Sequence, residues 1–237
     1  MNSPTANSTI GVLASGGLDS CILVAHLLRQ GCYVRPIHVR CGLIWENEEL
    51  AGLRAFLRAI SSPELDELIS LDLPLEDLYG RHWSIDGRNS PDADTPADAV
   101  YLPGRNALLI IKPAIWCGLH GISRMALATL AGNPFGDATN DFFQAMESTL
   151  ELATGNRVTI VRPFEKMDKC EVVRLGKSLP IELTFSCLAP SGGLHCGRCN
   201  KCAERQNAFQ TLNIPDPTQY ANYPNHPRIP QISTVDH

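Results

Sequence analysis

Basic residues are in short supply in this chain. Lys and Arg number 20 against 25 Asp and Glu in 237 residues, a formal net charge of -5. A duplex-binding face needs broad positive charge, so the balance weighs against nucleic acid as a partner while leaving room for a local basic pocket. Long apolar runs are missing too, and none approaches the ~18–20 residues that cross a bilayer as a helix. The opening MNSPTANSTI has neither a basic n-region nor an apolar h-region. No secretory leader is expected from it, and the expected location is cytoplasmic, without membrane association. No internal repeat and no second core pattern are visible. At 25.9 kDa the chain suits one full-size domain rather than two enzymes in tandem.

What is present reads as alternating α/β structure. Residues 9–14 are a short β-branched apolar run, predicting a buried strand. A helix is expected over 20–30, stopped by Gly31, then a strand over 33–39 and a helix over 46–60 with Leu50, Leu53, Phe56, Leu57 and Ile60 on one face. Further strands are expected at 68–73, 124–130 and 158–161, and helices at 105–119, 141–153 and 168–178, with a last helix ending near Leu212. Strand and helix in alternation give a five-stranded parallel sheet covered on both faces. Residues 74–103 hold Pro74, Pro91, Pro96 and Pro103 with Gly80 and Gly87, and read as a long loop able to close over a site. Pro113 should kink or divide its helix. One domain is expected over 1–212, followed by a Pro-rich extended tail over 213–237.

Between the first strand and the first helix stands SGGLDS, Ser15 to Ser20. Paired glycines allow positive φ and let backbone approach a ligand closely. Exposed N–H groups at a helix N-terminus then bind an anion, with Ser15 and Ser20 adding hydroxyls. The loop has neither the lysine of a Walker motif nor the spacing of a dinucleotide fingerprint. It resembles the PP-loop of the N-type ATP pyrophosphatases. That resemblance implies cleavage of ATP between the α and β phosphates, adenylation of a substrate oxygen, and Asp19 shaping the loop or holding Mg²⁺.

Near the other end, Cys196, Cys199 and Cys202 form C-x₂-C-x₂-C, with Cys187 nine residues upstream. Four sulfurs at this spacing suit tetrahedral Zn²⁺. A [4Fe–4S] cluster is the competitor, but the following x₃-C-P of ferredoxin motifs is missing, so zinc leads. His195 is an alternative fourth ligand, which would leave Cys187 without a role. Cys21, Cys32, Cys41, Cys117 and Cys170 are scattered through elements and read as small core residues.

SGGLDS, YLPGRN at 101–106 and the cysteine pattern together resemble the 7-cyano-7-deazaguanine synthase (QueC) family, from about residue 9 to 212. The resemblance implies an adenine nucleotide alpha hydrolase-like (HUP/PP-loop) fold with a C-terminal zinc-binding helical segment spanning 187–202. It implies an ATP-dependent ligase that turns 7-carboxy-7-deazaguanine and ammonia into the nitrile through adenylated intermediates in queuosine biosynthesis, commonly as a homodimer. The expected cofactors are ATP, Zn²⁺ and Mg²⁺. Catalytic roles are expected at Asp19, Ser20 and Arg105. Nucleotide binding is expected at Ala14, Ser15, Gly16, Gly17, Leu18, Asp19, Ser20 and Lys169, and metal ligation at Cys187, Cys196, Cys199 and Cys202. His38 would line the carboxyl edge of the sheet or serve as a satisfied structural histidine. Residue 2 is asparagine, so no N-terminal cysteine nucleophile releases ammonia, which is expected free or from a partner.

The sequence departs from the family at Phe135–Phe142, FGDATNDF where relatives usually carry a YPDCRPEF-like segment. Ala138 replaces the cysteine and Thr139 the arginine. On this reading Thr139 and its neighbours set the substrate, and Arg105 or Lys166 would supply the missing cation. Alternatives are a related PP-loop enzyme acting on another carboxylate or amide, and a nucleotide-binding module without catalysis, against which the intact SGGLDS argues.

Overall fold

The computed structural model describes residues 9–221. Five parallel strands run in the order β3-β2-β1-β4-β5. They are β1 (Thr9–Leu13), β2 (Tyr33–Arg40), β3 (Ile69–Asp72), β4 (Arg124–Ala126) and β5 (Thr159–Val161). The sequence supports this arrangement because each strand is short, largely apolar and followed by a crossover long enough to return it parallel. The order reverses direction at β1, whose neighbours are β2 and β4. A crevice therefore opens beyond the carboxyl ends of these three strands, where ligands of open α/β sheets bind.

Helices α1 (Leu18–Arg29), α2 (Glu46–Ala59), α3 (Glu76–Tyr79), α4 (Trp83–Asp86), α5 (Arg105–Leu119), α6 (Asn140–Thr154), α7 (Lys169–Gly176) and α8 (Asn200–Thr211) complete the framework. One face of the sheet packs Ile10, Val12 and Val34 against Leu23, Leu27, Phe56, Val172 and Phe209. The other packs Ile37 and Met125 against Ile110, Ala114, Phe143 and Leu150. Gly11 lets α5 lie close, since a Cβ there would sit 2.6 Å from Cys117 Sγ. A third cluster caps the carboxyl edge and joins Trp45, Leu75, Phe185 and Leu188 to the four C-terminal cysteines.

Four expectations need correcting. Residues 74–103 are not one open loop. They form α3, α4 and a 3₁₀ turn at Ala97–Val100, and Trp83 stacks on Trp45 with ring centroids 5.7 Å apart. The segment is also tied to the cysteine region, where Asn200 donates its N–H to Pro91 O at 3.0 Å and its side-chain amide to Thr95 O at 3.0 Å. Pro113 does not divide α5, which stays continuous because the buried ring packs on the core and only one backbone donor is lost. The strand expected over 124–130 ends at Ala126, although Leu127 N still donates to Val161 O of β5 at 3.0 Å. The first helix starts at Leu18 and not at Ser20, so half of SGGLDS is helical.

After α8 the chain lies on the body. Arg205, 1% exposed, donates to Thr184 Oγ1 at 2.8 Å and Ile181 O at 2.9 Å, and faces Asp216 at 3.6 Å. The rest of the expected tail, 222–237, lies outside the described residues. Among the described residues no helix is long and apolar enough to cross a membrane.

Candidate active site

The SGGLDS loop leaves β1 and enters α1 within a single turn. Gly16 has φ +107, and a Cβ on it would meet Glu49 O at 2.2 Å. Only glycine fits this close approach to α2. The serines hold the loop from within. Gly17 N donates to Ser15 Oγ at 3.1 Å, Gly16 N to Ser20 Oγ at 3.4 Å, and Ser20 Oγ to Gly17 O at 3.0 Å. Gly17 is the N-cap of α1 and has no side chain to cap it. The first-turn N–H groups of a twelve-residue helix therefore face the crevice, a ready anion site.

Asp19 points at α7. Lys169 Nζ donates to both its oxygens, at 2.9 and 2.7 Å, and lies 3.0 Å from Glu204 of α8. Lys201 Nζ reaches the same Glu204 at 2.6 Å. Burial works against the Lys169 charge, but the Asp19 and Glu204 carboxylates outweigh it and push the ammonium above its ordinary range. Burial likewise opposes ionisation of Glu204, yet Lys169 and Lys201 bring it down to about 2.

A cavity of about 290 Å³ joins these parts. Its wall takes Ala14, Ser15, Gly17, Leu18, Asp19 and Ser20 from the loop, His38 and Cys41 from the end of β2, and Trp45, Glu46 and Glu49 from the start of α2. Arg105 and Asn106 enter from α5, Thr129 from beyond β4, and Lys169 and Lys201 from the far side. Gly16 does not touch the cavity and instead bears on α2. Leu18 contributes from a side chain 1% exposed in the core. Arg105 Nε is buried without a partner, and its charge acts on Glu49, Cys41 and Tyr79. Burial raises Glu49 to about 8, against the pull of Arg105. His38 is both of the things expected of it, lining the cavity while Nδ1 bonds Ala14 O at 3.0 Å.

Thr139 is exposed and caps α6, accepting from Phe142 N at 3.2 Å and donating to Gly136 O at 3.1 Å. It does not line the cavity, and neither does Lys166, which is exposed. Segment 135–142 instead braces the PGRN turn. Asp137 Oδ2 accepts from Asn106 N at 3.1 Å, Asn106 Nδ2 donates to Asp137 O at 2.9 Å, and Phe135 stacks on Tyr101 at 4.6 Å.

Cys187, Cys196, Cys199 and Cys202 are all buried, with their sulfurs within 4.8 Å of one another. The Cys187–Cys199 and Cys196–Cys202 distances are 3.9 and 4.0 Å. A tetrahedral ion with metal–sulfur bonds near ~2.3 Å sets sulfurs about 3.8 Å apart, so one ion fits the group. Backbone N–H groups already point at sulfur, from Cys196 to Cys187 at 3.2 Å and from Cys199 to Cys196 at 3.3 Å. Such donors suit thiolates rather than thiols. Gly197 at φ +78 lets the chain turn back between ligands. His195 is not one of the four, because its Nε2 accepts from Ser186 N at 3.1 Å and its ring packs on Phe185. The other five cysteines are free, four of them buried.

The model of the family described as Queuosine biosynthesis protein QueC matches residues 9–213. The chain belongs to the QueC family. A relative named 7-cyano-7-deazaguanine synthase, from Chlorobium phaeobacteroides (strain BS1), is 30% identical over 226 residues, covering 91% of this chain and 98% of its own. Another of that name from Methanothrix thermoacetophila is 31% identical over 225 residues, covering 88% of this chain and 96% of its own. QueC membership carries a role in queuosine biosynthesis and an enzyme of the QueC type.

Sequence reasoning missed two groups at the cavity, Glu49 and Lys201, and the Glu204 carboxylate that pairs with both lysines. Glu49 was read only as part of an amphipathic helix, and its charge at the start of that helix was the available signal. Lys201 sits inside the cysteine motif and was passed over for the ligands around it. Glu204 follows one turn later, and no local pattern ties it to Lys169, 35 residues away.

Proposed function

We propose that this protein converts 7-carboxy-7-deazaguanine, ammonia and ATP into 7-cyano-7-deazaguanine. The observation that carries the reading is the single cavity in which the uncapped α1 N-terminus, Lys169 and Arg105 converge, in a QueC-family chain. Anionic phosphates suit the α1 end, where N–H dipoles and Lys169 stabilise negative charge. Ser15 and Ser20 keep the loop in shape, and Asp19 holds Lys169 toward it. Arg105, with an unpartnered Nε, is a forked donor for a carboxylate or phosphate at the opposite wall.

The chemistry follows from that arrangement. A carboxylate oxygen attacks the α-phosphorus and pyrophosphate leaves. Ammonia displaces AMP to give the amide; the amide oxygen then attacks a second ATP, pyrophosphate leaves, and the nitrile forms as that oxygen departs with AMP and the nitrogen gives up its two protons. AMP leaves readily where oxide does not. Mg²⁺ would screen the phosphate charge, and Asp19 would be the carboxylate that holds it. Zn²⁺ would be held by Cys187, Cys196, Cys199 and Cys202 and supply structure by fixing the start of α8, whose N-cap is Cys199. The reading includes a cytoplasmic homodimer, tested by light scattering of purified protein.

The test is purified protein with ATP, ammonium and 7-carboxy-7-deazaguanine, with products read by mass spectrometry. The nitrile, AMP and pyrophosphate are expected. ADP and phosphate as the only nucleotide products would overturn the reading. A second reading, adenylation of another carboxylate or amide, draws on Thr139, whose hydroxyl is committed to backbone where the family usually offers a guanidinium. Turnover of a different acid with no turnover of the carboxy-deazaguanine would favour it.

A further inference from the structure

His38 is 2% exposed and lies at the end of β2 beside the phosphate loop. Its Nδ1 is 3.0 Å from Ala14 O, a carbonyl that can only accept, so Nδ1 carries the proton and donates it. The other nitrogen, Nε2, is buried with no hydrogen-bond partner. In the neutral ring Nε2 then holds a bare lone pair. Burial keeps the imidazole below its ordinary range. The Ala14 bond and the Glu46 carboxylate oppose that shift, and Arg40 and Arg54 reinforce it. A buried acceptor without a donor costs free energy unless a ligand supplies the donor. His38 lines the cavity, and a ligand bound there would supply it.

The chemistry of the reactants selects the donor. Ala14 is the residue before the loop, so its tether holds the imidazole at the phosphate side of the cavity. Phosphate and carboxylate oxygens there are acceptors and would be repelled by a lone pair. The ribose hydroxyls and adenine amine of ATP and the N–H groups of the deazaguanine also donate, but at the reacting carboxyl itself the donor is ammonia.

We propose, resting on the function above, that His38 Nε2 holds the attacking ammonia and takes its proton. The nitrogen lone pair forms the C–N bond at the acyl carbon, and the C–O bond to AMP breaks with its electron pair leaving on AMP. One proton moves from nitrogen to Nε2 and from there to solvent, giving amide, AMP and a neutral imidazole again. Cys41, Glu46 and Glu49 are the other titratable groups on this wall. Glu46 accepts from Gly42 N at 2.8 Å and pairs with Arg40 at 3.4 Å, and Glu49 faces Arg105 and Trp45, whereas His38 is tethered to the loop.

Two half-reactions separate the roles. Exchange of pyrophosphate into ATP, dependent on 7-carboxy-7-deazaguanine, reads adenylation without ammonia. Amide formation at varied ammonium reads the nitrogen step. His38→Asn keeps an amide donor for Ala14 O and removes the acceptor at Nε2. It should leave exchange and the KM for ATP within about twofold of wild type while kcat/KM for ammonium falls at least ~100-fold. His38→Gln, which restores an acceptor near Nε2, should recover part of the ammonium KM but not kcat, and it carries the test if His38→Asn does not fold. A parallel fall in exchange, a raised KM for ATP, or unchanged ammonium kinetics would overturn the assignment. Wild-type protein without any carboxylate-dependent exchange would instead overturn the proposed function, and this inference with it.

Discussion

Gly16→Ala tests the close approach of the loop to α2. The residue sits at φ +107, where L side chains are strained by about 1–3 kcal/mol. Its new Cβ would lie 2.2 Å from Glu49 O and 2.8 Å from Glu49 C, both backbone atoms that no rotamer can move. Ordinary contact needs roughly 1 Å more, and such overpacking costs a further ~1–3 kcal/mol. The sum is about 2–6 kcal/mol, a melting temperature lower by roughly 5–20 °C for a chain of this size. The loop itself must also shift, and displacement on that scale costs catalysis about 100-fold. Gly17→Ala is the internal control. Gly17 has φ -68, open to any residue, and the tightest contact of its Cβ would be Ser15 Oγ at 3.2 Å, a side-chain atom that can rotate, with Phe185 O at an ordinary 3.7 Å. It should change stability by less than about 1 kcal/mol. Thermal melts of both variants, with pyrophosphate exchange on the soluble protein, decide the matter. Equal destabilisation by the two substitutions would refute the argument from the Glu49 contact.

Purified protein should carry one zinc per chain, and Cys199→Ser or chelation should lower the melting temperature by on the order of 10 °C; iron and sulfide in elemental analysis would refute the assignment. Glu49, with its carboxyl raised from 4.5 to about 8, stays protonated in the folded state over a window where the unfolded chain has ionised. The folded state then binds the extra proton, so stability falls as pH rises through that window, and Glu49→Gln should flatten the slope in urea melts at pH 5, 6.5 and 8. Thr139→Ala should cost about 1 kcal/mol through loss of the α6 cap and leave the KM for the carboxylate substrate unchanged. A KM shift without loss of stability would return Thr139 to the binding site.

The sheet, most of its helices and the two principal motifs were legible because each is written locally. Apolar β-branched runs such as 9–13 bury on both faces wherever they fall, and SGGLDS at a strand-to-helix junction needs no distant partner to become an anion site. The cysteine spacing likewise confines four sulfurs to one neighbourhood. Decisions made across the chain were not legible. Lys169 was expected at the nucleotide, but no local pattern tied it to Asp19 and Glu204, which α1, α7 and α8 bring to it. Thr139 looked like a substrate contact, but a hydroxyl before a helix finds backbone donors first, and only the packed structure shows which way the segment turns. Residues 74–103, rich in Pro and Gly, gained their short helices from packing against Trp45 and the cysteine region, a partner no local pattern names. His38 shows the division most plainly. Sequence supplied an imidazole at a strand end, and the tertiary contact with Ala14 O chose its tautomer and left Nε2 a buried acceptor without a partner.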